Sequence, residues 1–461
     1  RANPGSLQPD IAEAPADYAG MTEVEGTQMI ETKAARIRRG VLANEASREA
    51  EESFAKLAKK MKKPALGKVD GRFPMFILFA TRKGMEKQYG PQTAAALEQE
   101  MKKLAAAAGS RPGWGSLVFF PDDPLMTSKL GLKPVDEIDA WKLKLSLVDL
   151  DQVLGKKGQR IGALVIIGGD EVVPFHKLPN PTDDSDAEVN SDNPYGTLDS
   201  NYFVPEWPVG RLPGEVGPDA GLLIEQLRNA TQYHTLQTYK PSRWWRLTWQ
   251  WIRQLQPKTK KSKPRLPFGY TAAAWQRSSQ EVFKLNGMKR TLVACPPEGT
   301  ETVDPEDVSM ASLGYFNLHG LEDGAEWYGQ RHPGDSNPGI DYPVALSPHN
   351  LVKNGAAPKV IFSEACYGGL VSGKREGEAI SLRFLSIGSQ AVVGSTCVAY
   401  GSVAAPLIGA DLLGSLFWKH LQAGLTVGEA LMQAKIDLVR EMNRRQSFLD
   451  GEDQKTLLSF V

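Results

Sequence analysis

Two places in the 461-residue chain put reactive side chains where an apolar run stops. LGYFNLHG (313–320) ends on His319 and Gly320, and KVIFSEAC (359–366) ends on Cys366, followed by two glycines after Tyr367. A thiolate is a strong nucleophile, but it needs a proton carrier beside it and surroundings that stabilise its charge. Imidazole is the usual carrier near neutral pH. If both runs are strands of one parallel sheet, their carboxyl ends open on the same crevice and the two groups face each other there. Gly320 has no side chain, so its N–H can approach a substrate oxygen closely; with the N–H of Cys366 it forms a candidate oxyanion hole. Cys295 and Cys397 also follow apolar runs, but without a His–Gly neighbour they read as small buried hydrophobes. His176, His234, His332, His349 and His420 read as packing or surface residues.

The elements that must position these groups alternate in type. In the first half, PMFILFAT (74–81), GSLVFF (115–120) and IGALVIIGG (161–169) are short apolar runs of buried-strand type. Helical patterns separate them at 93–109 and 139–158, and another follows at 220–234. The second half predicts strands in FGYTAAA (268–274), RTLVAC (290–295), LGYFNLHG, KVIFSEAC and QAVVGSTC (390–397). Helices are predicted over 278–287, 347–354, 377–388, 405–424 and 426–445, the last opened by a Thr426–Glu429 capping box. The alternation gives an α/β fold: a doubly wound, mostly parallel sheet with helices on both faces. It divides into an N-terminal lead and long helix (1–69, the helix from Thr27 to Lys63), an α/β subdomain (70–235) and a catalytic α/β subdomain (236–461).

Composition narrows the function classes. Lys plus Arg and Asp plus Glu are 54 each, so the formal charge is zero, which argues against a polybasic nucleic-acid binder. Three cysteines make no disulfide framework, and without a C-x-x-C spacing there is no cysteine-pair zinc site. No apolar run is long enough to span a membrane. GGDEVVPF (168–175) lacks the glycine fingerprint of a dinucleotide site. The segment 177–215 is a long Pro-, Asp- and Asn-rich loop whose Asp183, Asp184, Asp186, Asp192 and Asp199 are candidate calcium ligands; the plainer reading is a solvated acidic loop. PKTKKSKPR (257–265) reads as a flexible, protease-accessible loop.

His–Gly after one apolar strand and Ala–Cys after the next resembles the caspase-like cysteine proteases (clan CD). Within that group the chain is most similar to the gingipain family. IGALVIIGGDEVVPF resembles the family's strand ending in Gly–Asp and Ile–Pro. NSDNPYGTLDSNYF with PVGRLP resembles its Ser–Asp–x–x–Tyr–Gly loop followed by Gly–Arg. LGYFNLHGLEDGAEWYG resembles its His–Gly–x–Glu–x–x–x–Trp–Gly segment, with two extra residues, and VGSTCVAYG and AGLTVGEALMQAK resemble the region after the nucleophile. The resemblance covers roughly 74–440. It implies a caspase-like sheet with Cys366 as nucleophile and His319 as general acid/base. The family's acidic third residue has no match after FGYTAAAW, where Trp275, Gln276 and Arg277 stand and the first acid is Glu281. Glu322, three residues after His319, is a candidate substitute for orienting the imidazole. Glu364, two before Cys366 on the same strand, shares its face and is a candidate positioning or pocket acid. Asp192 matches the Ser–Asp loop and is the candidate structural or calcium-binding residue.

The expected activity is therefore that of a cysteine endopeptidase working through a Cys366 thioester. Gingipain-like and clostripain-like enzymes cleave after basic residues, so the resemblance implies a polypeptide cut after Arg or Lys, with Glu281, Glu322, Asp323, Glu326 and Glu364 as the acids near the site. The chemistry requires no cofactor, with calcium as the one candidate ion. The lack of a disulfide framework and of a signal segment leans toward a cytoplasmic enzyme regulated by an effector or partner protein, and the two ends, Arg1 and Val461, read as those of an excerpt. The rival reading is a catalytically weak or inactive caspase-like scaffold; a nucleotide-binding α/β protein is disfavoured by the absence of a phosphate-cradling glycine loop.

Overall fold

The computed structural model describes residues 71–238, 265–286, 292–336, 339–445 and 451–461. The N-terminal helix expected over 27–63 and all but the last residue of the basic run 257–265 lie outside these residues.

Apolar runs too short for helices and hydrophobic on both sides become central parallel strands, because only there are both faces covered. In the first half β1 (Phe73–Phe79), β2 (Gly115–Phe119), β3 (Gln159–Ile167) and β6 (Val209–Leu212) make a four-stranded parallel sheet in the order β2-β1-β3-β6. Its middle strand is sealed, with Ile77, Leu78 and Phe79 wholly buried. Helices α1 (Arg82–Tyr89), α2 (Pro91–Gly109), α3 (Pro124–Leu130), α4 (Ala140–Lys156) and α5 (Gly221–Thr238) belong to this half, and Leu97, Met101 and Leu104 of α2 share a core with β1 and β3.

The second half contains a five-stranded parallel sheet in the order β14-β13-β9-β7-β8. Its strands are β7 (Phe268–Ala272), β8 (Val293–Cys295), β9 (Leu313–Asn317), β13 (Val360–Ser363) and β14 (Ala391–Val393). Side chains alternate between its faces. Tyr315 and Phe362 pack against α6 (Gln276–Phe283), α9 (Gly409–Gln422) and α10 (Val427–Arg444), whereas Phe316 and Ile361 pack toward α7 (Pro305–Ser309) and α8 (Ile380–Ser386). The sheet is thus covered on both faces. The capping box opens α10 as expected: Thr426 N–H donates to Glu429 Oε2 at 3.0 Å and Glu429 N–H to Thr426 Oγ1 at 3.4 Å. The helix expected over 347–354 is reduced to one 3-10 turn, Pro348–Asn350, because Pro348 and Ser347 favour a tight turn and Gly355 follows.

The acidic segment 177–215 corrects the sequence reading most. It is not a solvated loop. It carries the antiparallel pair β4 (His176–Pro179) and β5 (Glu188–Ser191), a 3-10 turn (Asn193–Gly196) and β6, and it docks on α11 (Gly451–Ser459). Ser191 Oγ donates to Leu458 O at 2.6 Å and Asn193 Nδ2 to Leu457 O at 2.7 Å. Lys435, buried in α10, donates to Asn193 Oδ1 and to Phe460 O at 2.6 and 2.7 Å, and burial pushes its ammonium down to about 7. The Arg211 side chain is buried and forked onto Asp192 at 2.6 and 2.8 Å, and it also donates to the carbonyls of Gly168, Gly169 and Val173. Both oxygens of Asp192, the candidate calcium ligand, thus face a guanidinium. Among the described residues no group of three His, Cys, Asp or Glu side chains is arranged to hold a metal ion.

Removing one partner of a buried ion pair leaves the other charge uncompensated. Arg211→Met is therefore expected to destabilise the protein by about 3–5 kcal/mol, read as a lowered urea midpoint. Lys142→Met, at an exposed pair with Asp136 and Glu137, should leave the midpoint in place.

Candidate active site

From β7 the chain steps outward to β8 and then returns to β9 on the other side of β7. This is a topological switch point, where the connections leaving two neighbouring strands diverge and a crevice opens beyond their carboxyl ends. Trp275 follows β7 and His319 follows β9, and their rings lie 4.3 Å apart between centroids. Gly320 lies directly against Cys366, which follows β13. A β-carbon on Gly320 would sit 2.1 Å from the Cys366 carbonyl oxygen, so only glycine lets the two strand ends meet.

His319 and Gly320 begin a small antiparallel sheet, β10 (His319–Gly320), β11 (Trp327–Tyr328) and β12 (Val344–Leu346). The hairpin brings Gln330 back beside the imidazole, where His319 Nε2 meets Gln330 Oε1 at 2.9 Å. With the amide oxygen as acceptor, the ring proton sits on Nε2 and Nδ1 carries the lone pair. His319 and Gln330 are both buried, and Tyr342 closes on the ring from 5.5 Å, edge to face. Burial pushes the imidazole down to about 4, with the Gln330 hydrogen bond pulling the other way. His319 is therefore neutral near pH 7. Sequence reasoning missed Gln330; the signal available was its hairpin spacing, two residues beyond the Trp327–Tyr328 pair that faces His319–Gly320.

Cys366 is nearly buried, and its Sγ accepts the Ala399 N–H at 3.3 Å. The chain then turns sharply. Tyr367 has φ 55°, the only non-glycine at positive φ among the described residues. A bulky residue holds this conformation only where its surroundings determine it. Here Tyr367 N–H donates to Cys397 O at 3.0 Å and its hydroxyl donates to Asp186 Oδ1 at 2.7 Å. Cys295 and Cys397 are buried thiols pushed up to about 11 and 12 by desolvation, which leaves them unreactive near neutrality.

The candidate acids fall elsewhere. Glu364 is sealed between β13 and α9, against Asp411 and Tyr315; burial first, and then the Asp411 charge, raise its carboxyl well above the usual range. A buried carboxyl whose charged form is this strongly disfavoured is ill suited to be an anionic pocket base. Glu322 is exposed, and its backbone carbonyl accepts from Lys374 Nζ. Glu281 is half exposed and paired with Lys284. The group at His319 Nε2 is thus an amide rather than the carboxylate of Glu322 or Glu281. Among the other histidines, His176 is buried under Trp141 and Tyr195, and His420 pairs with Asp437 at 2.7 Å.

No protein-family model matches the chain. No curated protein matches it either. Solved structures do. The crystal structure of the Arg-specific cysteine proteinase gingipain R superposes at TM-score 0.52 and 13% identity, covering 85% of this chain and 77% of that one. The complex of the pro- and mature domains of the Porphyromonas gingivalis enzyme superposes at TM-score 0.51 and 14% identity, over 84% and 77%. At such identities the likeness speaks to architecture, and the architecture is that of gingipain R: a caspase-like α/β fold with mostly parallel central sheets.

Proposed function

We propose that the chain is a cysteine endopeptidase. The observation that carries this reading is the contact of Gly320 with Cys366, which joins a His–Gly strand end to a Cys strand end on the neighbouring strands β9 and β13, beside the switch point. In the proposed reaction Cys366 Sγ passes its proton to His319 Nδ1 and attacks the scissile carbonyl carbon. The tetrahedral oxyanion forms beside the N–H groups of Gly320 and Cys366. Collapse breaks the C–N bond, with His319 returning the proton to the leaving amine, and leaves a thioester on Cys366. His319 then takes a proton from water, which attacks the thioester and releases the acid, and His319 returns the proton to the departing Cys366 sulfur. Gln330 holds the ring in the required tautomer throughout. The mechanism needs no group beyond these side chains and water.

Gln330 orients His319, and its hydrogen bond favours the imidazolium too weakly to offset burial. The preferred residue before the scissile bond is Arg or Lys, supported by the unburied acids Glu322, Asp323 and Glu326 on the loop leaving Gly320. The solved complex of gingipain pro- and mature domains shows a partner segment in that protein; a regulatory partner is the corresponding proposal here.

Cys366→Ala should abolish peptide hydrolysis with the fold intact, whereas Cys397→Ala should retain it. A thiol-reactive probe on native protein should label Cys366 and spare Cys295 and Cys397. Slow, equal labelling of all three, with no hydrolysis, would point to an inactive scaffold.

His319→Ala should cost about a hundredfold or more in kcat/KM, as loss of a general acid/base does. The exposed His332 is the control, and its replacement by Ala should leave activity unchanged. With His319 titrating at about 4, the acid limb attributable to the imidazole lies well below neutrality. Gln330→Glu places an anion at Nε2 and favours the imidazolium, so this limb should move to higher pH. An unmoved limb would separate His319 from the chemistry.

Mass spectrometry of incubated wild-type protein beside Cys366→Ala tests the residue preference. Cleavage after Lys or Arg, including within 257–265, is expected in the wild type alone. Cuts confined to Asp or Asn sites would overturn the basic preference.

A further inference from the structure

The acidic strap 180–186 and helix α11 meet around one buried cation. Lys455 is wholly buried, and its Nζ lies 2.5 Å from Asp186 Oδ2, is bonded to Asp184 Oδ2, and reaches Thr182 Oγ1 at 3.4 Å. Asp184 also accepts the hydroxyl of Tyr400, and the Lys455 ammonium lies 5.8 Å from the centre of that ring. Burial alone would raise the Asp184 carboxyl; Lys455, Tyr400 and Thr182 together hold it below its ordinary range.

Asp186 is the branch point. Its Oδ1 accepts the hydroxyl of Tyr367, the residue that follows Cys366 and holds positive φ. Its Oδ2 accepts the N–H of Val398 at 2.9 Å, and the next N–H along, that of Ala399, donates to Cys366 Sγ. One carboxylate therefore grips both segments that shape the surroundings of the thiol: the turn leaving Cys366 and the loop that presents a donor to its sulfur. β5, which follows the strap, is tied to that loop by Thr396 Oγ1, which donates to Asn190 O at 2.6 Å.

We infer that Asp186 and Lys455 are positioning residues for Cys366: the buried ammonium fixes the carboxylate so that it fastens the Tyr367 turn and the Val398–Ala399 loop around the sulfur. This rests on Cys366 being the nucleophile. Neither residue touches the reacting atoms; each acts through backbone it holds. Without Lys455, two carboxylates would share a dry site, repel each other and leave Asp186 free to turn away from Tyr367 and Val398. The Ala399 backbone would then be displaced from its contact with the sulfur.

The test compares wild type, Lys455→Met, Asp186→Asn and Tyr367→Phe, each shown to be folded at the assay temperature by circular dichroism. Two quantities are read: kcat and KM on a Lys- or Arg-containing peptide, and the rate of Cys366 alkylation by iodoacetamide at neutral pH, located by mass spectrometry. Lys455→Met and Asp186→Asn should each lower kcat by about tenfold or more, with KM within about twofold, and slow alkylation in parallel. Tyr367→Phe should give a smaller loss, and adding Lys455→Met to it should cost less than the sum of the two, because they share one path. A role in stability alone would lower the melting temperature and leave kcat and alkylation unchanged in folded protein; that result overturns the proposal. Should Lys455→Met fail to fold, Tyr367→Phe, which removes one hydroxyl, decides it in the same two readouts. If wild type hydrolyses no peptide, the peptidase reading fails by itself, and the alkylation rates still settle whether Lys455 positions the thiol.

Discussion

A long polar segment can lie inside a protein only if its charged and hydrogen-bonding groups find partners there, and three buried cations meet that condition for residues 177–215. Arg211 gathers Asp192 and three carbonyls at the end of β3. Lys435 joins Asn193 to the backbone of Phe460. Lys455 takes Asp184 and Asp186. Each cation comes from a different element, β6, α10 or α11, so the segment is the common seam between the two sheets. Hydrophobic contact alone would not specify such a seam, because it has no direction; the forked and multiply bonded cations do.

The crevice between β7 and β9 depends on a second constraint, that of space. Trp275 fills it from one side, and on the other side of β9 the closeness of Gly320 to Cys366 leaves no room for a side chain. Dryness follows from this packing and sets the electrostatics. A buried imidazole beside an amide stays neutral, and the sulfur is met by an N–H rather than by a full positive charge. Charge at such a site develops only during reaction, when fixed donors already point at it. This is the condition under which pre-arranged dipoles are most effective.

Most strands of the two parallel sheets were legible because their apolar runs are short, β-branched or aromatic, and bounded by glycine or proline. β1, β2, β3, β7, β9 and β13 fall where those runs lie. His319 and Cys366 were legible for the same reason, as reactive residues at the stops of such runs. What the sequence concealed is what depends on distant partners. β4, β5 and β6 are four residues each, too short to show a period, and exist because they dock on other elements. Asp184 and Asp186 look solvated until Lys455 is brought to them across more than half the chain. Gln330 has no distinguishing mark along the chain, since an amide becomes an orienting group only when a hairpin folds it onto the imidazole. Glu364 shows the converse: alternation placed it near the nucleophile, but nothing local revealed Asp411 on α9 behind it.

The seam also fixes an order of events during synthesis. Ser191, Asn193 and Thr182 bond to residues 264 to 273 positions later in the chain. At about 5–20 residues per second, that interval is tens of seconds on the ribosome. The first parallel sheet has all its strands by residue 212, yet its acidic strap emerges with Asp184 and Asp186 lacking their cation and must wait for Lys455. Cys366 leaves the ribosome within that waiting period, ahead of the cation that completes its surroundings. The nascent chain thus carries an exposed thiol before it carries a fastened one, and the interval closes only when α11 is made.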